Sequence, residues 1–264
     1  MIQRIAVVVL MLTLLATLTA PALADDFAYM VTGASEFGTI DLNTGVFTPI
    51  NNMGVLLGGG LGSYGGNLYG GGAYGGTLCT VNPVSGVASA VGNGSLTYGN
   101  LASATNGLFA LPSEGNFYSI NPTTGASTVI AATGLTNTGG MGNGLGQYVY
   151  AAEWVGTESF LYSIDTTTGV PTLIGDTSVQ VIGAVVGING TLWAGTSQRQ
   201  IYTLDPVTGA GTFVSDLSGT SSDFWGLAAG ANSPPVPEPS SLILVGSGLL
   251  AFVELARRRT LVKE

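Results

Sequence analysis

The chain has 264 residues, 42 of them glycine, and only 8% are charged: six Lys and Arg face fifteen Asp and Glu, with no histidine and a formal net charge of −9. So few cations exclude nucleic acid as a partner, because phosphate binding rests on neutralisation by Lys and Arg, and the lack of histidine removes every catalytic scheme built on imidazole. Cys79 is the single cysteine, so no internal disulfide can form.

Arg4 precedes an apolar stretch over residues 5–18, and Ala22-Leu23-Ala24 puts small residues at the −3 and −1 positions of a signal-peptidase site. Residues 1–24 are expected to be a signal peptide, cut by signal peptidase after Ala24 at the inner membrane, and the chain to be exported. Residues 25–232 then carry one cation, Arg199, against twelve carboxylates, a net charge of −11.

Within that region five segments recur. They are Thr39-Ile40-Asp41-Leu42-Asn43-Thr44-Gly45, Thr80-Val81-Asn82-Pro83-Val84-Ser85-Gly86, Ser119-Ile120-Asn121-Pro122-Thr123-Thr124-Gly125, Ser163-Ile164-Asp165-Thr166-Thr167-Thr168-Gly169 and Thr203-Leu204-Asp205-Pro206-Val207-Thr208-Gly209. Their closing glycines are 41, 39, 44 and 40 residues apart, the period of a four-stranded propeller blade. Each reads as a hairpin tip: Asp or Asn accepts from a backbone N–H two residues on, and Gly takes the left-handed position. A strand such as Leu161-Tyr162-Ser163-Ile164 precedes the tip, and another, such as Thr172-Leu173-Ile174, follows it. Upstream lies an aromatic strand marked by Tyr29, Tyr69, Phe109, Tyr150 and Trp193, and before that a Gly-rich strand, such as Gly60-Leu61-Gly62 or Gly140-Met141-Gly142, suited to the crowded axis of a small wheel.

The first copy has no Gly-rich strand of its own, because Asp26-Phe27-Ala28-Tyr29 already reads as the second strand. Phe224-Trp225-Gly226-Leu227-Ala228 supplies the missing one from the far end. The expected fold is all-β: a five-bladed β-propeller over residues 25–232 whose ring closes between N- and C-terminal strands, with a β-solenoid as the alternative. The copies resemble bacterial propeller repeats of the Leu-Tyr-x-Ile-Asp-x-x-Thr-Gly type and lack the Gly-His and Trp-Asp marks of WD-type blades.

After a Pro-rich linker over residues 233–239, which ends in Pro237-Glu238-Pro239, come an apolar run over 240–256 and a basic tail over 257–264 that opens with Arg257-Arg258-Arg259. A helix over that run is about 26 Å long, enough to span a membrane with little tilt, and the arginines would stay cytoplasmic. Glu254 lies one helical turn from Arg257 and Arg258, which makes its charge tolerable near the interface. These three parts in this order resemble the C-terminal signal of PEP-CTERM proteins. The resemblance implies recognition by an exosortase in the inner membrane of a Gram-negative bacterium that makes exopolysaccharide, with delivery to the cell surface or beyond.

The repeat alignment also sorts the remaining residues. Cys79 stands where other copies have Tyr118, Tyr162 and Tyr202, and reads as packing. Asp41, Asp165 and Asp205 alternate with Asn82 and Asn121, and read as turn caps. The non-repeating residues Glu36, Tyr74, Glu114, Glu153, Trp154, Glu158 and Arg199 are expected in the loops between second and third strands, and Asp176, Asp216 and Asp223 between blades. They form an acidic face with two flat rings. From this face follows a non-catalytic surface or matrix protein, contacting polysaccharide or a surface protein in exopolysaccharide or biofilm structure. Trp154 and Tyr74 would stack on sugar rings, and the carboxylates would hold hydroxyls or a bridging Ca²⁺. No catalytic residue, organic cofactor or metal set is assigned. The alternative is a propeller-type glycoside hydrolase, with Glu114, Glu153 and Glu158 as the candidate acid and nucleophile or base.

Overall fold

The computed structural model describes residues 26–54, 57–72, 77–92, 100–143 and 146–230, which lie in one compact unit, Asp26–Ser233. The expected signal peptide with Ala22 and Ala24, the linker, the apolar run and the basic tail lie outside the described residues, and so do Tyr74, Pro237, Glu238, Pro239, Arg257, Arg258 and Arg259.

The described residues form strands throughout. Blade I begins with β1 (Phe27–Thr32), β2 (Glu36–Asp41) and β3 (Val46–Asn52). Blade II is β4 (Leu57–Tyr64), β5 (Asn67–Gly72), β6 (Leu78–Val81) and β7 (Ala88–Val91). Blade III is β8 (Leu101–Ala104), β9 (Gly107–Ala110), β10 (Asn116–Ile120) and β11 (Ser127–Ala132). Blade IV is β12 (Thr138–Asn143), β13 (Tyr148–Val155), β14 (Glu158–Asp165) and β15 (Pro171–Gln180), and blade V is β16 (Ile182–Ile188), β17 (Thr191–Thr196), β18 (Gln200–Leu204) and β19 (Gly211–Asp216). The last strand, β20 (Phe224–Ala229), pairs antiparallel with β1, placing Ala228 opposite Tyr29, so blade I has the order β20-β1-β2-β3.

The ring is closed, and two sets of contacts demonstrate it independently. The apolar core divides into five clusters, one between each pair of neighbouring blades: Phe37 with Leu61, Leu78 with Leu101, Phe117 with Met141, Leu161 with Ile182, and Ile201 with Phe224. The second contact runs along the rim. Each closing glycine is buried against the outer strand of the preceding blade: Gly86 on Asn51, Gly125 on Val91, Gly169 on Ala131, Gly209 on Gly175 and, completing the circle, Gly45 on Asp216. The expected five-bladed propeller is therefore the fold, and copies stacked in a line are ruled out.

The hairpin tips have the expected chemistry in all five copies. The carboxylate or amide oxygen of Asp41, Asn82, Asn121, Asp165 and Asp205 accepts the N–H two residues on at 2.8–2.9 Å. Backbone N–H groups of Thr168 and Thr167 hold the Asp165 carboxyl below its ordinary pKa, and those of Val207 and Thr208 do the same for Asp205. Stability from these two turns is therefore complete above the unfolded carboxyl pKa of about 3.9 and is lost as the pH falls below it. The Asp165→Asn, Asp205→Asn double variant is expected to melt with wild type at pH 7 and above it at pH 3, as read by thermal circular dichroism.

One repeated feature breaks the simple alternation of the strands. In β3, β11, β15 and β19 the register slips by one residue, which turns Ile50, Ile130, Ile174 and Val214 inward onto an inter-blade cluster. Their predecessors Val129, Leu173 and Phe213 stay half-exposed. These are β-bulges, which bend and twist an outer strand. The pairing of β6 with β7 has none.

Candidate functional site

In an antiparallel blade the second strand ends, and the third begins, at the end from which the chain enters the next blade. The non-repeating residues share that end in different blades: Glu36 in blade I, Glu114 in blade III, Glu153, Trp154 and Glu158 in blade IV, and Arg199 in blade V.

Several of them are strand residues where loops were expected. The ladder of β13 and β14 continues through Trp154 opposite Ser159 and Val155 opposite Glu158, leaving only the tight turn at Gly156 and Thr157. Glu36 opens β2 opposite Asn52. Asp176 lies within β15, opposite Phe160, where its carboxylate accepts the Ser178 N–H at 2.8 Å.

Most of these side chains are already engaged by the wheel. A carboxylate oxygen of Glu36 accepts from the Thr32 hydroxyl at 3.2 Å and from the Thr220 hydroxyl. Glu114 accepts from the Tyr118 phenol at 3.4 Å. Burial pushes the Tyr162 phenol up, and the charge and hydrogen bond of Glu153 add to the shift. The Trp154 ring covers the bulged Gly139, and its indole N–H donates to the Ile182 carbonyl at 2.8 Å. It is wedged between blades IV and V and is not the free platform expected. Glu158 is exposed at the start of its strand.

Arg199 is a clasp. Its guanidinium donates to the Leu217 carbonyl at 3.1 Å and to the Thr220 carbonyl, both in the segment joining β19 to the ring-closing β20. Its backbone is left-handed, with φ of 64°, and matches Ser35 and Gly115 at the same turn in blades I and III, with φ of 63° and 79°. The N–H of each reaches the residue three back, and the carbonyl of each accepts from the chain leaving the outer strand, at Met53, Thr133 or Leu217. Arg199→Ala is expected to cost about 2 kcal/mol, because charged hydrogen bonds to partly buried carbonyls are lost. Arg199→Gly is expected to cost less, because it relieves the left-handed backbone; thermal melts should rank wild type above Gly and Gly above Ala.

Burial raises the pKa of the Cys79 thiol, which donates weakly to the Thr77 carbonyl at 3.9 Å. The aromatic row Tyr29, Tyr69, Phe109, Tyr150 and Trp193 belongs to the inter-blade clusters, and within their own blades Tyr29 stacks on Phe37 at 5.6 Å and Phe109 on Phe117 at 5.3 Å. Among the described residues no group of three or more Asp, Glu or Cys is placed to hold a metal ion.

Two recesses, of about 540 Å³ and about 330 Å³, lie at the opposite end of the wheel, beside the hairpin tips of blades II and III. The acidic residues do not line them. Both recesses have proline after the turn Asn, Pro83 and Pro122, but blade V has Pro206 at that position too, so proline alone does not mark them.

Residues 235–259 match the family model described as the PEP-CTERM protein-sorting motif. The tail is a PEP-CTERM motif. Proteins with the PEP-CTERM motif are exported and sorted by an exosortase, and this chain is such a protein. The motif covers the tail alone. No curated protein matches the chain. Among solved structures the wheel is similar to a chain in the crystal structure of a nidogen/laminin complex, at 10% identity and TM-score 0.56, covering 76% of this chain and 97% of that one. Myxococcus xanthus glutaminyl cyclase is similar at 20% identity and TM-score 0.43, over 65% of this chain and 70% of that one. Kuenenia stuttgartiensis hydrazine synthase is similar at 16% identity and TM-score 0.44, over 59% and 48%. At these identities the likeness is one of fold.

Proposed function

We propose that the wheel is a non-catalytic recognition or structural module, displayed at the cell surface or in the extracellular matrix of a Gram-negative bacterium, where it contacts exopolysaccharide. The observation that carries this reading is the PEP-CTERM motif on a chain whose folded region is a closed propeller. Glu114 belongs to blade III while Glu153 and Glu158 belong to blade IV, and Glu114 and Glu153 are each bonded to a tyrosine of their own blade. Hydrolysis of a glycoside instead needs two carboxyl groups flanking one bond, one of them with its pKa raised. The acidic end keeps an exported protein soluble, and binding is assigned to uncharged surface.

The test uses the full chain in detergent micelles and exopolysaccharide purified from the producing strain. Co-sedimentation without release of reducing ends is expected. Release of reducing ends that is lost in Glu153→Gln or Glu158→Gln would establish the glycoside hydrolase, and failure to co-sediment would remove the polysaccharide role.

A further inference from the structure

The two recesses at the hairpin-tip end occupy the same place in consecutive copies. In blade II the floor is Leu68 and Val81, paired across β5 and β6, and the rim carries Thr80 and Pro83. In blade III the floor is Leu108 and Ile120, paired across β9 and β10, and the rim carries Ser119 and Pro122. Thr80 and Ser119 are themselves equivalent, facing Tyr69 and Phe109 of the aromatic row.

Proline contributes to the opening of these copies, although blade V carries it too, as Pro206 after Asp205. In blades I and IV the residue after the turn aspartate is Leu42 or Thr166, whose backbone N–H bonds the Asp26 carbonyl at 3.0 Å or the Gln147 carbonyl at 3.4 Å. That bond ties the tip to the second strand, and both side chains are buried. Pro83 and Pro122 have no N–H to give. The tip cannot be tied in this way, and a recess remains beside it.

Its lining has one chemical character. Every residue around either recess is uncharged, and hydroxyl and amide groups alternate with apolar floor. In blade II the Asn82 oxygen is taken by the Val84 and Ser85 N–H groups, both at 2.9 Å, which leaves its amide NH₂ as a donor, while Thr80 donates to the Ser89 carbonyl at 3.3 Å and keeps lone pairs as an acceptor. In blade III Ser119 donates to the Thr128 carbonyl at 3.4 Å in the same way, and the Asn106 side-chain amide lies 3.0 Å from the Thr166 hydroxyl of blade IV, whose proton goes to the Gln147 carbonyl at 2.6 Å. Both volumes fall in the range of small-molecule sites, roughly 300–1,000 Å³.

We propose that these recesses are paired subsites for an uncharged glycan, each taking one segment of the same or a neighbouring chain. An apolar floor suits the flat C–H face of a pyranose, and mixed donors and acceptors suit its hydroxyl edge. An acidic polysaccharide would meet a core of net charge −11 with no cation at either recess. A cationic ligand would find no carboxylate there. Two equivalent subsites on one rigid wheel convert weak single contacts into avidity for a repeating polymer. This rests on the polysaccharide reading above and places the contact at the end of the wheel opposite the acidic residues.

The experiment is isothermal titration of the full chain in detergent micelles with neutral oligosaccharides of glucose, galactose, mannose and N-acetylglucosamine, and with a uronic acid oligosaccharide. One oligosaccharide per recess is expected from the neutral set, and none from the acidic one. Ser89→Tyr fills the blade II recess and Asn106→Trp the blade III recess; each is expected to halve the binding capacity, and together to abolish it, at an unchanged melting temperature. Ser85→Arg replaces Ser89→Tyr should the tyrosine lower the melt. Glu158→Gln, on the acidic end, is expected to bind as wild type. Undiminished binding by the double variant, or loss of binding in Glu158→Gln alone, overturns the proposal. Should wild type co-sediment with exopolysaccharide yet bind no neutral oligosaccharide, the recesses fail and the surface role stands; should it do neither, both fall.

Discussion

Gly45→Ala is expected to lower stability by about 3 kcal/mol, against about 1 kcal/mol for Gly156→Ala. Both glycines are left-handed, with φ of 74° and 69°, so any side chain at either meets the same backbone penalty of about 1–2 kcal/mol. They differ in what surrounds them. A Cβ at Gly156 meets nothing within 4 Å, whereas one at Gly45 falls onto the Asp216 carbonyl oxygen of the neighbouring blade. That carbonyl is backbone and cannot swing aside, so the ring must shift, and overpacking adds about 1–3 kcal/mol. For a domain of this size the difference reads as a melting temperature lower by about 6–12 °C for Gly45→Ala and about 2–4 °C for Gly156→Ala. Equal shifts would mean that the tip-to-rim contact does not hold the circle together.

The second large effect lies in the closing strand. Phe224 is 2% exposed and belongs to the cluster between blades V and I, where its ring occupies the space left open by Gly195. Phe224→Ala is expected to cost about 3–5 kcal/mol, the usual loss for a buried phenylalanine. Phe213, on the bulged outer strand, is 50% exposed, touches Tyr202 edge-on at 5.6 Å, and is expected to cost under about 1.5 kcal/mol when cut to alanine. Urea unfolding of the two variants checks the contrast. Because losing β20 uncovers the edge of β1, the Phe224→Ala protein is also expected to aggregate on melting where Phe213→Ala refolds.

The circular plan was legible because it is written in local chemistry. An Asp or Asn four residues before a glycine makes its own turn bonds, so five such segments announce five tips before any packing is known. The absence of a Gly-rich strand before Tyr29 then required a partner from the far end, and β20 is that partner. The bulges were not legible. Val129-Ile130 and Leu173-Ile174 look like lapses in alternation, and only the neighbouring blade decides which residue of each pair turns inward.

The surroundings of the candidate site residues were hidden for the same reason: contacts between blades determine them. Trp154 is covered by a contact with a glycine fifteen positions earlier and a carbonyl in the next blade. Arg199 adopts a left-handed turn that glycine takes in blade III, a conformation that composition does not assign to arginine. The missing N–H beside the recesses, at Pro83 and Pro122, gains meaning only once Leu42 and Thr166 show what that N–H does elsewhere.

The pairing of Ala28 with Ala229 joins residues 201 positions apart, whereas each complete blade from the second to the fifth is drawn from one run of the chain. Loop entropy makes such a remote pairing slow to form. Blades II to V are therefore local folding units that assemble early, and the first strands wait, half a sheet with one bare edge, for the last strand to arrive. Since β20 is the strand nearest the sorting tail in sequence, the segment that completes the wheel is also the last of its strands to be synthesised. Synthesis order and topology together make ring closure the final event in the life of the nascent chain.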